Sequence, residues 1–271
     1  MKPEHRNWVT LMSGGAAATH MKGWGKMSVV NMIIRPKGQP FTKSLFWLFP
    51  KLIIGLFLAA LGTVMMIHAN IGLFPWGILN AGLVNVTGVS FGVWSQIIGL
   101  FIIIMMTLFK FYPGIGTIFD MFFVGFFIDL LELMAVVPTP SGLVSQVGFS
   151  MAGLFVLSYG VSLYMSCGLG AGPRDGLMLM LMKLTSKSAG VVKTAIEVTV
   201  TLLGLALGGP FGFGTILLAL TGGKVMAMVF QWTGFDAHAV EQKNVVQFWR
   251  EHVAPRRVAG ERPVTAMDES L

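Results

Sequence analysis

Two stretches, Asn70-Ile71-Gly72-Leu73-Phe74-Pro75-Trp76 and Gly168-Leu169-Gly170-Ala171-Gly172-Pro173-Arg174-Asp175, decide how this chain folds. Each follows a long apolar run and precedes a short apolar segment. Glycine adds backbone entropy and proline removes a backbone donor, so both stretches interrupt a helix and free carbonyl and N–H groups. At lipid depth such groups survive only if packed in protein or lining a wet cavity. The plainer reading is an extramembrane turn with proline at the first helical position, and it fits the same residues.

The two stretches belong to a repeat. Sliding the chain on itself by 98 positions, without a gap, brings Gly55 onto Gly153, Gly62 onto Gly160, Gly72 onto Gly170, Gly92 onto Gly190, Gly114 onto Gly212, Gly116 onto Gly214 and Gly125 onto Gly223. Pro75 meets Pro173 and Thr117 meets Thr215. Glycine content alone would give about two such coincidences over these windows, and seven are present. Each half therefore reads alike. Full spans are expected at 50–69, 91–110 and 115–134 in the first half and at 147–167, 189–208 and 213–232 in the second. The short segments fall at 75–86 and 173–184. A helix rising 1.5 Å per residue needs about twenty residues to cross a hydrocarbon core of about 30 Å, so the short pieces are expected to be half-helices or re-entrant.

Composition agrees with a membrane setting: 54% of the residues are hydrophobic and 11% are charged, against roughly a quarter charged in soluble domains. The tail up to Lys51 carries eight Lys and Arg against the single acid Glu4, which predicts a cytoplasmic N-terminus, with the first apolar run retained as an uncleaved anchor. Three crossings per half is an odd number, so the halves should enter the bilayer from opposite sides. The charges follow that scheme. The stretch between Ala69 and Phe91 has no Lys, Arg, Asp or Glu, whereas its counterpart carries Arg174, Lys183 and Lys187. The expected architecture is all-α: a polytopic transmembrane helix bundle of two inverted-topology repeats, each with three spans and one short broken segment. Its parts are a basic N-terminal cytoplasmic tail at 1–49, a first membrane repeat at 50–134, a second at 147–232, and a C-terminal cytoplasmic tail at 233–271. Gly55 with Gly62, and Gly153 with Gly160, lie seven apart on one face of the leading helix of each half; small residues let backbones approach, so these helices should cross near the pseudo-twofold axis.

Candidate substrate-binding residues follow from the broken segments: Asn70, Gly72, Pro75, Trp76, Gly170, Gly172, Pro173, Arg174 and Asp175. Paired interruptions in two repeats point to a solute site in secondary transporters, where half-helix termini aim their dipoles at a ligand. Arg174 would meet an anion and Asp175 a cation or proton, or Asp175 would simply complement the dipole of the first helical turn. Glu197 joins the set because an ionisable group mid-span marks a polar pathway or a partner, and Lys193 one turn earlier is an available partner. Asp129 and Glu132 share a helical face and suit either a cation site or solvated interfacial carboxylates. Asp120 is expected to reach Lys110 or water.

Gly170-Ala171-Gly172-Pro173-Arg174-Asp175-Gly176-Leu177-Met178 and Gly72-Leu73-Phe74-Pro75-Trp76, with the trailing Gly114-Ile115-Gly116-Thr117 and Gly212-Phe213-Gly214-Thr215, resemble the paired signatures of the YczE/YyaS/YitT group of bacterial membrane proteins. The resemblance covers roughly residues 50 to 232 and implies a multi-pass protein of a bacterial plasma membrane, with no substrate attached. The group carries Asp after the Pro-Trp pair where this chain has Gly77, which puts a first-half carboxylate there in doubt.

Several classes are disfavoured. The single cysteine, Cys167, excludes an intrachain disulfide, and His68 has no second histidine nearby, so no metal and no cofactor are expected. No basic patch interleaves with aromatics, so no nucleic-acid partner is expected. The spans lack a Ser/His pair or paired catalytic Asp, and the glycines lack phosphate-loop spacing, so an enzyme is not expected. Two functions remain. One is a small-solute or ion transporter working by alternating access; the other is a non-transporting scaffold or regulator binding a partner protein or lipid. The bilayer is the expected partner in both, and homo-oligomerisation stays open.

Overall fold

The computed structural model describes residues 41–235, with side chains from Leu48; the two tails lie outside the described residues. Within that range the chain is all-helical: α1 (Phe41–Ala69), α2 (Pro75–Thr87), α3 (Phe91–Leu108), α4 (Ile115–Met134), α5 (Leu143–Met165), α6 (Pro173–Thr185), α7 (Ala189–Ala206) and α8 (Phe213–Thr233). α2 and α6 are 13 residues each, or about 20 Å at 1.5 Å per residue, too short to cross a bilayer. Five helices are long and apolar enough to span: Leu48–Ala69 of α1, and α3, α5, α7 and α8. α4 has the length, at 20 residues, but carries Asp120, Asp129 and Glu132. α1 begins earlier than expected, at Phe41, and runs through Pro50.

Proline and glycine set the ends of the short helices. Pro75 and Pro173 occupy the first turn, where a missing N–H costs nothing. Gly88 then closes α2 in the left-handed conformation, its N–H donating to Val84 O at 2.8 Å.

α1 and α5 form the centre, crossing at their glycines. A Cβ at Gly55 would sit 2.8 Å from Tyr164 N and 2.9 Å from Gly160 O; one at Gly153 would sit 2.8 Å from Gly62 O. The pairing of 55 with 160 and of 62 with 153 means that the two helices run in opposite directions. α4 packs on α1 and α8 on α5, while α2 lies against α7 and α6 against α3. Buried apolar side chains such as Leu56, Val64, Met66 and Ile128 fill the seams. The outer faces stay apolar: Leu108 is 76% exposed, Leu202 61% and Trp232 71%. In water that surface would drive aggregation, and a hydrocarbon surround removes the penalty.

The broken stretches seat against the starts of α4 and α8. Gly214 N donates to Ile71 O at 2.7 Å, and Gly116 N donates to Leu169 O at 2.7 Å. Gly72 and Gly170 have φ of 108° and 127°, which a side chain rarely tolerates. Beside them stand Gly212 and Gly114, so a Cβ would also lie 2.7 Å from Gly212 N at one position and 2.7 Å from Gly114 Cα at the other. Each stretch is thus finished by residues from the other half of the chain.

Candidate functional site

The first turns of α2 and α6 bring Trp76 and Arg174 together, with the guanidinium carbon 5.2 Å from the centre of the indole ring. A planar cation over an indole face gains about 0.5–2 kcal/mol, more as water is removed. Arg174 also donates from Nη2 to Ser95 Oγ of α3 at 3.3 Å. Three helices therefore hold one half-buried guanidinium.

Around it stand carboxylates that do not pair with it. Asp120, on α4, and Asp175, the next residue along α6, both lie within electrostatic reach of Arg174. Among the described residues the ion pairs are His68–Glu132 and Lys193–Glu197, so neither Asp comes within 4.0 Å of the guanidinium. Asp175 is exposed at the molecular surface.

Gly172 sits where Asp120 and Tyr164 converge. A Cβ there would lie 2.9 Å from Asp120 Oδ2 and 3.1 Å from the Tyr164 hydroxyl. The Tyr164 hydroxyl of α5 stands against the Gly172 backbone, and Thr117 Oγ1 of α4 donates to Ala171 O at 2.6 Å. The loop before α6 is pinned from α4 and α5, which fixes the direction in which Arg174 leaves the helix.

The sequence-derived candidates divide. Trp76, Gly172, Arg174 and Asp175 share one cluster, and Pro75 and Pro173 start the helices that carry it. Gly72 and Gly170 shape the loops. Asn70 is exposed, in the left-handed conformation, with its N–H on Ile67 O at 3.2 Å; it ends α1 away from the cluster. Glu197 meets Lys193 at 3.8 Å, one turn away on α7.

Sequence reasoning missed Asp120, Ser95, Tyr164 and Asn80. Asp120 faces Arg174 and Asp175 in place of Lys110. Asn80 is fully buried on α2, one turn beyond Trp76 on the same face, and both of its amide atoms lack a partner. An unsatisfied buried amide costs about 1–3 kcal/mol, so it calls for a partner. A signal was available: an Asn in a segment otherwise as apolar as Gly77–Val84 is anomalous. The other acids have separate tasks. Asp129 accepts from Gly92 N at 2.8 Å and Ser90 Oγ at 2.6 Å, capping α3, while Glu132 meets His68 Nε2 at 3.2 Å.

A polytopic helical bundle with a polar cluster inside and an apolar exterior defines the class: an integral membrane protein. The chain belongs to a family of unknown function, DUF6198, whose model matches residues 48–231. It is 36% identical over 175 residues to the membrane protein YczE of Bacillus subtilis (strain 168), covering 64% of this chain and 80% of that one. A Haemophilus influenzae (strain ATCC 51907 / DSM 11121 / KW20 / Rd) protein is 31% identical over 175 residues, covering 65% and 79%. YyaS of Bacillus subtilis (strain 168) is 26% identical over 177 residues, covering 64% and 87%. No solved structure matches the chain.

Proposed function

We propose that this protein is a secondary transporter of a small solute or ion, working by alternating access between two inverted repeats in a bacterial cell membrane with both termini cytoplasmic. The observation that carries the reading is the meeting of Trp76 and Arg174 at the heads of the two short helices. These residues occupy the same place in the two halves, and equivalent residues touch only where a pseudo-twofold axis passes. Two exchanges support the axis. Gly55 with Gly160 becomes Gly153 with Gly62, and the Ile71–Gly214 bond becomes Leu169–Gly116, when the halves are interchanged. Opposed α1 and α5 follow from an odd number of crossings per half. A solute held at the axis would be reached from either side as one half rocks against the other.

Purified protein in sealed liposomes should move at least one solute from a panel of amino acids, sugars, organic cations and organic anions, and Arg174→Ala should remove that flux. Folded, monodisperse protein that moves none of them would sink the proposal. Topology offers a second check: in a Cys167→Ser background, Val89→Cys and Lys187→Cys should react with an impermeant maleimide from opposite faces of the membrane. Labelling of both from one face would rule out inverted halves.

A further inference from the structure

We infer that α7 is the moving helix of the second half: it swings from its seat on α2 to a second seat on α8 made by Ala219, Gly223 and Ala227, and so closes the seam that α3 and α4 already close in the first half. The inference rests on the reading of the two halves as inverted repeats and names the helix whose movement opens and closes one side.

Corresponding helices lean in different directions. In the first half α3 packs on α4, where a Cβ at Gly99 would lie 2.8 Å from Met121 Cγ and one at Gly125 would lie 2.6 Å from Gln96 Cγ. In the second half α7 turns away from α8 and packs on α2, where a Cβ at Gly204 would lie 2.5 Å from Leu79 N and one at Gly82 would lie 2.6 Å from Gly204 O. Asn85 Nδ2, on the last turn of α2, donates to Gly208 O at 2.8 Å. The matching positions of α3 and α6 hold Met106 and Met180, long side chains in one buried cluster where the α2–α7 contact has glycines. α7 therefore sits on α2 as closely as α3 sits on α4.

The seat on α8 is formed although α7 does not fill it. Ala219, Gly223 and Ala227 follow at four-residue intervals, so they share one face of α8, and all three are exposed. Their counterparts Met121, Gly125 and Asp129 make the face of α4 that α3 covers. The sizes across the two seams are exchanged. Gly99 lies against Met121 in the first half, and the same two positions hold Glu197 and Ala219 in the second, a large side chain on α7 and a small one on α8. Either order fills a seam, because packed layers interdigitate when large residues face small ones. Polarity points the same way. Glu197 is partly exposed near the middle of α7 and Lys224 is exposed near the middle of α8, at depths where ionisable groups normally face protein or water. Closure brings them to the two sides of one seam. The turn Gly208-Gly209-Pro210 joins the helices and supplies the pivot, with Gly208 at a φ of 79°.

A disulfide between the two helices reads closure directly. In a Cys167→Ser background of the full chain in liposomes, Thr194→Cys with Gly223→Cys, and separately Gly190→Cys with Ala227→Cys, should crosslink within one chain on treatment with copper phenanthroline, since the bond needs Cα atoms about 4.4–6.8 Å apart. These pairs take the places of Gln96 with Gly125 and of Gly92 with Asp129, which touch in the first half. Peptide masses after digestion identify the bond. Ala219→Trp, which fills the place opposite Glu197 on an exposed face, should slow both crosslinks by about tenfold or more. Two pairs keep the test decisive if one of them fails to fold. Folded protein that forms neither bond, bonds that Ala219→Trp leaves unslowed, or bonds formed between two chains, which would make a second copy the occupant of this face, would each overturn the inference. Flux without closure would remove the movement of α7 and leave the carrier reading standing, whereas closure without flux would remove the carrier reading alone.

Discussion

The seam between α3 and α4 and the corresponding region between α7 and α8 start from the same glycines and end differently. In the first half Gly92 and Gly125 face each other, a Cβ at Gly125 lying 2.5 Å from Gly92 O. The seam is clasped by Asp129 on Gly92 N and Ser90 Oγ, and by Gln96 Nε2 on Phe122 O at 2.9 Å. Their counterparts Gly190 and Gly223 have nothing within 4 Å of a Cβ position, and α7 and α8 make no substantial contact. The positions of Asp129 and Gln96 are taken by Ala227 and Thr194. Small residues permit close approach, but polar clasps make it happen, since helices in lipid gain little from hiding apolar surface from tails of equal polarity. One half is thus a closed pair of helices, and the other leaves its two trailing helices apart.

The comparison breaks most readily at the glycines. Gly92→Leu or Gly125→Leu should destabilise by about 3 kcal/mol or prevent folding, because the added atoms meet backbone. The same change at Gly190 or Gly223 should stay within about 0.5 kcal/mol. Thermal unfolding in detergent reads both, and equal costs in the two halves would erase the distinction. Next in size is Asp129→Ala, expected to cost about 1–2 kcal/mol through loss of a charged helix cap, while Ala227→Ser should do little. Gln96→Ala should cost about 1 kcal/mol, the worth of one side-chain bond to a carbonyl. The smallest effect belongs to Lys193→Met, since a half-exposed pair one turn apart contributes about 0.3–0.5 kcal/mol at most. A large loss there would mean that Lys193 matters to Asp175 more than to Glu197.

Much of the architecture is legible in the sequence. The short helices were expected at 75–86 and 173–184 and run Pro75–Thr87 and Pro173–Thr185, because proline and glycine act locally on the backbone. The glycine-seven-glycine spacing located the α1–α5 crossing for a similarly direct reason. The site was half legible. Arg174, Asp175 and Trp76 announced themselves next to the breaks, but Asp120 did not. Its neighbour Arg174 is more than fifty positions away, and nothing in the spacing along α4 tells which side turns inward. Glu197 drew attention by sitting mid-span, yet its nearest charge is its own helix neighbour. The asymmetry between the halves was hidden for another reason. Matching glycines record where contact is sterically allowed, and only the unmatched partners Asp129 and Gln96 record where it occurs.

The crossed bonds from Gly214 to Ile71 and from Gly116 to Leu169 bear on how the chain is made. A ribosome delivers Ile71 long before Gly214, so the carbonyl at Ile71 cannot take its native partner until nearly the whole membrane region has been synthesised. Truncating the nascent chain anywhere before Gly214 leaves that carbonyl an orphan, and an early fragment cannot reach its mature shape.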